Sequence, residues 1–211
     1  MKKVIFILSL VCFVVTAGKC QSSEKLPRYF GEPIITDTTS TIFFPIRYNE
    51  EFLSTNKIAI WGDYYANLVV YDFLKGSYRK LFEKDTYIEA LQYPNHYSAG
   101  LELKPKNLTD KWVFLLVKSR DYNSSGRIDE KDPSLLFAAT TTGKELKQLT
   151  NENENVISFN ILERQGIVLI KIQRDLNKDQ SFKAEDKDYY FRKINLIDLS
   201  LGKGIEVKSL P

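Results

Sequence analysis

The second half of the chain states the same order of features twice. From Trp112 it reads "WVFLLVKSRDYNSSGRIDEKDPSLLFAATTTGKELKQLT", and from Gly166 "GIVLIKIQRDLNKDQSFKAEDKDYYFRKINLIDLSLGKGIEV". Each copy holds an apolar run, an Arg-Asp-x-Asn loop, a second run, a glycine-containing turn and a third run, with Asp121 and Asp175 in equivalent places. A looser copy, "KIAIWGDYYANLVVYDFLKGSYRKLF", precedes them, with Gly76 in the turn and a short hairpin at Gly62-Asp63 in place of the long loop. The runs "TIFFPIR", "YIEAL" and "VISFN" each stand before one copy. Adding them gives about three four-stranded antiparallel units, and units that recur in this way bury their apolar faces by stacking on one another.

The runs are short and rich in β-branched and aromatic residues, which suits strands rather than helices. One stretch, Lys84 to Tyr93 ("KDTYIEALQY"), has a pattern that also accommodates a short helix. The sequence "TTTGKELKQLT", a strand, a glycine turn and a strand ending in Leu-Thr, resembles the repeats of the Tol-type and WD-like propeller families of bacteria. The resemblance spans Trp112 to Leu210 and implies an all-β fold of blade-like units. Closed propellers have about four to eight blades, so three units imply an incomplete β-propeller-like arrangement. A β-sandwich built from the same meanders is the alternative.

The loop after Trp112–Lys118 carries the chain's most specific chemistry. Counted from Asp121 as position 1, side-chain oxygens fall at Asp121, Asn123, Ser125, Asp129 and Asp132, while Arg127 offers a backbone carbonyl at position 7 and Gly126 fills position 6. These are positions 1, 3, 5, 7, 9 and 12 of an EF-hand calcium loop, with Ile128 at the inward-packing position. The loop departs from that pattern in two ways, with aspartate in place of glutamate at the last position and strands in place of helices on either side; it resembles the loops of dockerins and other extracellular calcium modules, which use aspartate in the last place. Pro133 opposes an exit helix and suits a strand restarting at Ser134. The second loop repeats Asp175, Asn177, Asp179 and Asp186, but Gln180 stands where the glycine was and Lys183 where an oxygen is wanted. Asp, Asn, Ser and Gly also build ordinary turns. The gathering of three aspartates, Asp121, Asp129 and Asp132, in twelve residues is what favours a cation, because uncompensated they repel one another. Ca2+ is therefore the expected cofactor, in a structural role.

The chain opens "MKKVIFILSLVCFVVTAGKC": two lysines, an apolar run from Val4 to Val15 and small residues before Cys20. That run is too short to span a bilayer as a helix, which takes ~20 residues, and the layout is that of a secretory signal over residues 1–19. A signal ending at a cysteine resembles the bacterial lipoprotein type, with Cys20 as the lipidated first residue of the mature chain, although Lys19 departs from the small residue usual before it. Residues 20–36, polar at first and then carrying Pro27, Gly31 and Pro33, read as a tether, and residues 37–211 as the β-repeat domain. The implied location is the bacterial cell envelope, lipid-anchored, on the outer-membrane, periplasmic or surface side.

Charge and residue types exclude several functions. Lys2, Lys3 and Lys19 lie in the signal, which has no acid, so the mature chain balances 27 basic against 27 acidic residues. Nucleic acid as a partner is discounted, since it requires a basic excess. Cys12 and Cys20 are the only cysteines and His96 the only histidine. With Cys12 inside the signal, the mature domain has no thiolate or histidine zinc set and no internal disulfide. No Gly-x-Ser-x-Gly elbow, phosphate loop or dinucleotide fingerprint occurs. The expected role is a non-enzymatic binding or scaffolding module, with a membrane anchor and a protein or glycan partner of unknown identity. A glycan-binding module using exposed tyrosines and a carboxylate-dependent hydrolase are the alternatives.

Overall fold

The computed structural model describes residues 28–35, 39–48, 65–92, 111–126, 128–129, 131–182 and 186–206. Their regular structure is antiparallel strand, with a 3-10 turn at Glu163–Gln165. No helix among the described residues is long and apolar enough to cross a membrane. In chain order the strands are β1 (Arg28–Phe30), β2 (Ile34–Ile35), β3 (Thr41–Tyr48), β4 (Tyr65–Asp72) and β5 (Ser77–Lys80). They are followed by β6 (Tyr87–Gln92), β7 (Trp112–Lys118), β8 (Leu135–Thr140) and β9 (Lys147–Gln148), then β10 (Glu154–Leu162), β11 (Ile167–Arg174), β12 (Tyr189–Asn195) and β13 (Leu201–Ile205).

The pairing divides these strands into three meanders. Unit 3 is the four-stranded sheet β10-β11-β12-β13, and unit 2 is β6-β7-β8-β9. In unit 1, β3 pairs with β4 and β4 with β5, while β1 and β2 line the far edge of β3. Units 1 and 2 meet along strand edges at one bridge, Tyr65↔Ile88, beside which the Thr86 amide donates to the Ala66 carbonyl at 2.8 Å; their faces associate through side chains. This is the all-β, blade-like arrangement that the repeats predict.

Alternation along each strand decides how the units stack. One face of unit 2 carries Val113, Leu115, Val117, Leu135, Phe137 and Ala139, which pack with Phe43, Leu68 and Val70 of unit 1. Its other face carries Phe114, Leu136 and Ala138, which pack with Val168, Ile170, Ile172, Tyr190 and Ile194 of unit 3. Unit 2 is therefore buried on both sides, and its central strands read as continuous apolar runs, "WVFLLV" and "LLFAAT". Trp112 fastens two units at once: its ring is buried in that cluster, and its Nε1 donates to the Leu196 carbonyl at 2.9 Å.

Three expectations are corrected here. Residues 28–35, assigned to the tether, form β1 and β2, so the sheet begins before residue 37. "TIFFPIRY" is the second strand of unit 1 rather than the first, because β3 pairs directly with β4 from Thr41↔Asp72 to Arg47↔Tyr65. "KIAIW", between β3 and β4 in the sequence, lies outside the described residues. The stretch Lys84 to Tyr93 holds a strand, β6, because Ile88 and Ala90 pair with β7 and Ile88 is fully buried. Residues 1–19, Cys20 and His96 also lie outside the described residues.

Candidate metal loops

Both long loops leave the second strand of a unit and return on the third, so the repeat places them at the same end of units 2 and 3. Their hydrogen-bond skeletons coincide position by position. At position 1, Asp121 Oδ2 accepts the Gly126 amide at 2.7 Å and Asp175 Oδ2 the Gln180 amide at 2.9 Å. At position 3, Asn123 Oδ1 accepts the Ser125 amide at 2.9 Å and Asn177 Oδ1 the Asp179 amide at 3.0 Å. At position 12, Asp132 Oδ1 accepts the Tyr122 amide at 2.8 Å and Asp186 Oδ1 the Leu176 amide at 3.3 Å. The alignment of Asp121 with Asp175 thus holds through the whole loop.

The backbone follows the same path. Positions 4 and 6 are left-handed in both loops: Ser124 (φ 57°) and Gly126 (φ 91°) in the first, Lys178 (φ 59°) and Gln180 (φ 61°) in the second. Glycine reaches that region without steric cost, whereas a residue with a Cβ gives up roughly 1 kcal/mol or more. Gln180 therefore does what Gly126 does, at a cost, which explains why the second loop looks poorer in sequence. Position 8 packs inward in each loop, with Ile128 against Tyr48, Ala66 and Tyr87, and Phe182 buried.

The loops also touch. The Phe182 amide donates to the Lys131 carbonyl at 2.9 Å, and the rings of Tyr122 and Phe182 lie 6.1 Å apart. Behind them a buried relay joins the exit of the first loop to the last position of the second. The Ser134 amide donates to Asn155 Oδ1 at 2.8 Å, Asn155 Nδ2 to Gln173 Oε1 at 2.8 Å, and Gln173 Nε2 to the Asp186 carbonyl at 2.8 Å. Asn155 and Gln173 were not singled out in the sequence. Each sits in a strand whose neighbours carry the pattern, and only the fold makes them a chain.

The acids are distributed unevenly. Asp132 is fully buried and its Oδ2 takes the Asp129 amide at 2.7 Å, while Asp129 Oδ1 takes the Lys131 amide at 2.9 Å. Close to them Lys118, itself buried, donates from Nζ to the Asp132 carbonyl and lies 3.7 Å from Glu89 Oε1. Burial pulls the Lys118 ammonium below the usual lysine range, against the carboxylates of Glu89, Asp132 and Asp129, which act to raise it. In the second loop Asp175 Oδ1 and Ser181 Oγ, at positions 1 and 7, are buried without a hydrogen-bond partner. Arg127 and Lys183 lie outside the described residues. Among those described, no three Asp, Glu, His or Cys side chains converge on a point where they alone could hold a metal. A cation here would have to draw on amide, hydroxyl and carbonyl oxygens as well, which is the donor mixture calcium accepts.

No protein-family model and no curated protein matches the chain. Among solved structures, an oligogalacturonate lyase in complex with manganese is similar at 11% identity and a TM-score of 0.38, over 82% of this chain and 40% of that one. A putative TolB from Agrobacterium tumefaciens is similar at 8% identity and a TM-score of 0.36, over 87% of this chain and 52% of that one. The chain thus spans about half or less of the length of each.

Proposed function

We propose that the protein is a non-enzymatic binding or scaffolding module of the cell envelope, whose paired loops are held in shape by calcium. The observation that carries this reading is the matched skeleton of the two loops, with Asp175 Oδ1 and Ser181 Oγ buried and unpartnered in one of them. Buried oxygens without donors are costly, roughly 1–3 kcal/mol each, and a cation relieves that cost. Oxygen-only donors select a hard cation, and extracellular modules of this kind bind calcium at ~0.1–1 mM. The role is structural: the ion fixes a long loop and keeps two strands in register, with no bond made or broken. An N-terminal signal ending at Cys20 supports attachment to a membrane by lipid, which mass spectrometry of the mature N-terminus tests directly.

Thermal unfolding with calcium and with chelator tests the metal. At tenfold excess over its dissociation constant, calcium adds about 1.4 kcal/mol per site, a rise of ~3–6 °C for a domain of this size. Asp175→Ala removes the share of the second loop and Asp121→Ala that of the first. Identical melting in calcium and chelator rejects the reading. A glycan-binding role has one observation in its favour, the exposed rings of Tyr29 and Tyr78, and a glycan array decides it.

A further inference from the structure

We propose that Lys118 is a built-in counter-ion of the first loop: its ammonium holds the loop's acids together when calcium is absent and lowers the loop's affinity for calcium when the ion arrives. The second half of this rests on the calcium reading above; the first rests on contacts within the chain alone.

Lys118 closes β7, three residues before Asp121. Among the described residues it is the one lysine or arginine that is buried, at 4% exposure. Its Nζ donates to the Asp132 carbonyl, lies 3.7 Å from Glu89 Oε1, and is acted on by the carboxylates of Asp132 and Asp129 as well. Asp129 and Asp132 fill positions 9 and 12 of the loop, and both are buried. Buried carboxylates so close in sequence and space are costly unless a cation stands beside them. Glu89 is held in turn by the Ser134 hydroxyl, which donates to its Oε2 where the chain leaves the loop. The ammonium thus ties the entry and the exit of the loop to β6.

The second loop lacks this group. The alignment of Asp121 with Asp175 sets Ile172 opposite Lys118, three residues before the loop in each case. Ile172 is fully buried and brings no charge. The oxygens differ accordingly. Asp175 Oδ1 and Ser181 Oγ of the second loop are buried without a partner, whereas no buried side-chain oxygen among the first loop's described residues is left so. The two loops share one backbone path and differ in whether a cation is already present. A fixed positive charge beside a site for a divalent ion opposes its entry, and one unit charge a few ångströms away weakens binding on the order of tenfold.

Amide hydrogen exchange of the full chain at neutral pH, in chelator and across a calcium titration, tests both halves in wild type, Lys118→Met and Glu89→Gln. In chelator, Lys118→Met should exchange faster than wild type at Tyr122 and Asp129, whose amides Asp132 holds, with little change at Leu176, the amide that Asp186 holds. Under titration, Lys118→Met should move the calcium midpoint of the first loop down on the order of tenfold. Glu89→Gln should move it up, because the ammonium then faces one carboxylate fewer, and the midpoint of the second loop should stay in place. Loss of packing alone would move both variants the same way. Equal exchange at Tyr122 and Asp129 in wild type and Lys118→Met in chelator overturns the counter-ion role, whatever calcium does. A first-loop midpoint that both variants shift in one direction, or that Lys118→Met leaves in place, overturns the competition with calcium. If calcium changes neither loop in any variant, the calcium reading fails and the competition falls with it, while the chelator comparison still decides the counter-ion role.

Discussion

Two residues show how narrowly single positions are specified. Gly143, in the turn between β8 and β9, has φ 69°, and a Cβ built on it would meet Val70 Cγ1 of unit 1 at 2.6 Å. The position thus demands glycine for its backbone and again for the neighbouring unit. Gly143→Ala is expected to cost about 2–4 kcal/mol, the left-handed penalty plus overpacking, read as a lower midpoint in urea unfolding. Lys118 is the opposite case, a charge kept inside. Its folded-state pKa lies below the ordinary 10.5, chiefly because of burial, so the unfolded chain holds that proton more firmly. Stability from this residue is accordingly lowest where both states are protonated, and is regained as pH rises through the folded value toward 10.5. Urea unfolding between pH 7 and 10 should show wild type gaining on Lys118→Met, a comparison in which the raised phenols of Tyr48 and Tyr190 cancel. A constant difference would show that Lys118 keeps its proton.

At the scale of elements, the relay through Asn155 and Gln173 predicts that the two loops are not independent. Asn155→Leu strips the Ser134 amide and the Gln173 amide oxygen of partners while leaving every loop side chain in place. It should lower stability by about 2–3 kcal/mol and weaken the calcium response of both loops, measured as the calcium-dependent shift in melting temperature. An unchanged shift would mean the loops act alone. That "WVFLLV", "LLFAAT" and "GIVLIKI" are strands was legible from sequence, since they are short apolar runs bounded by turn residues. So was the equivalence of Asp121 and Asp175, because the loop's own side chains bind its own amides. β1 and β2 were not legible: they are two or three residues long, lie among Pro33 and Gly31, and exist by pairing with β3. Nor was the left-handed turn of unit 3, where Leu199 at φ 58° takes the role that Gly76 and Gly143 have in the other units.

For the whole molecule, unit 2 is the keystone, because both of its faces are core and each outer unit has only one. Damage to the face toward unit 3 should therefore loosen unit 3 as a block. Phe114→Ala, at a position with no exposure, is expected to cost about 3–5 kcal/mol and to separate unfolding of unit 3 from the rest in native-state hydrogen exchange. The central proposal is that calcium holds the two repeated loops as one platform across neighbouring units. Amide hydrogen exchange with and without calcium tests it most directly. Slower exchange with calcium is expected at Ser125 and Gly126 and, in parallel, at Asp179 and Gln180, with β7, β8, β11 and β12 little changed. Equal exchange in both loops with and without the ion would contradict it.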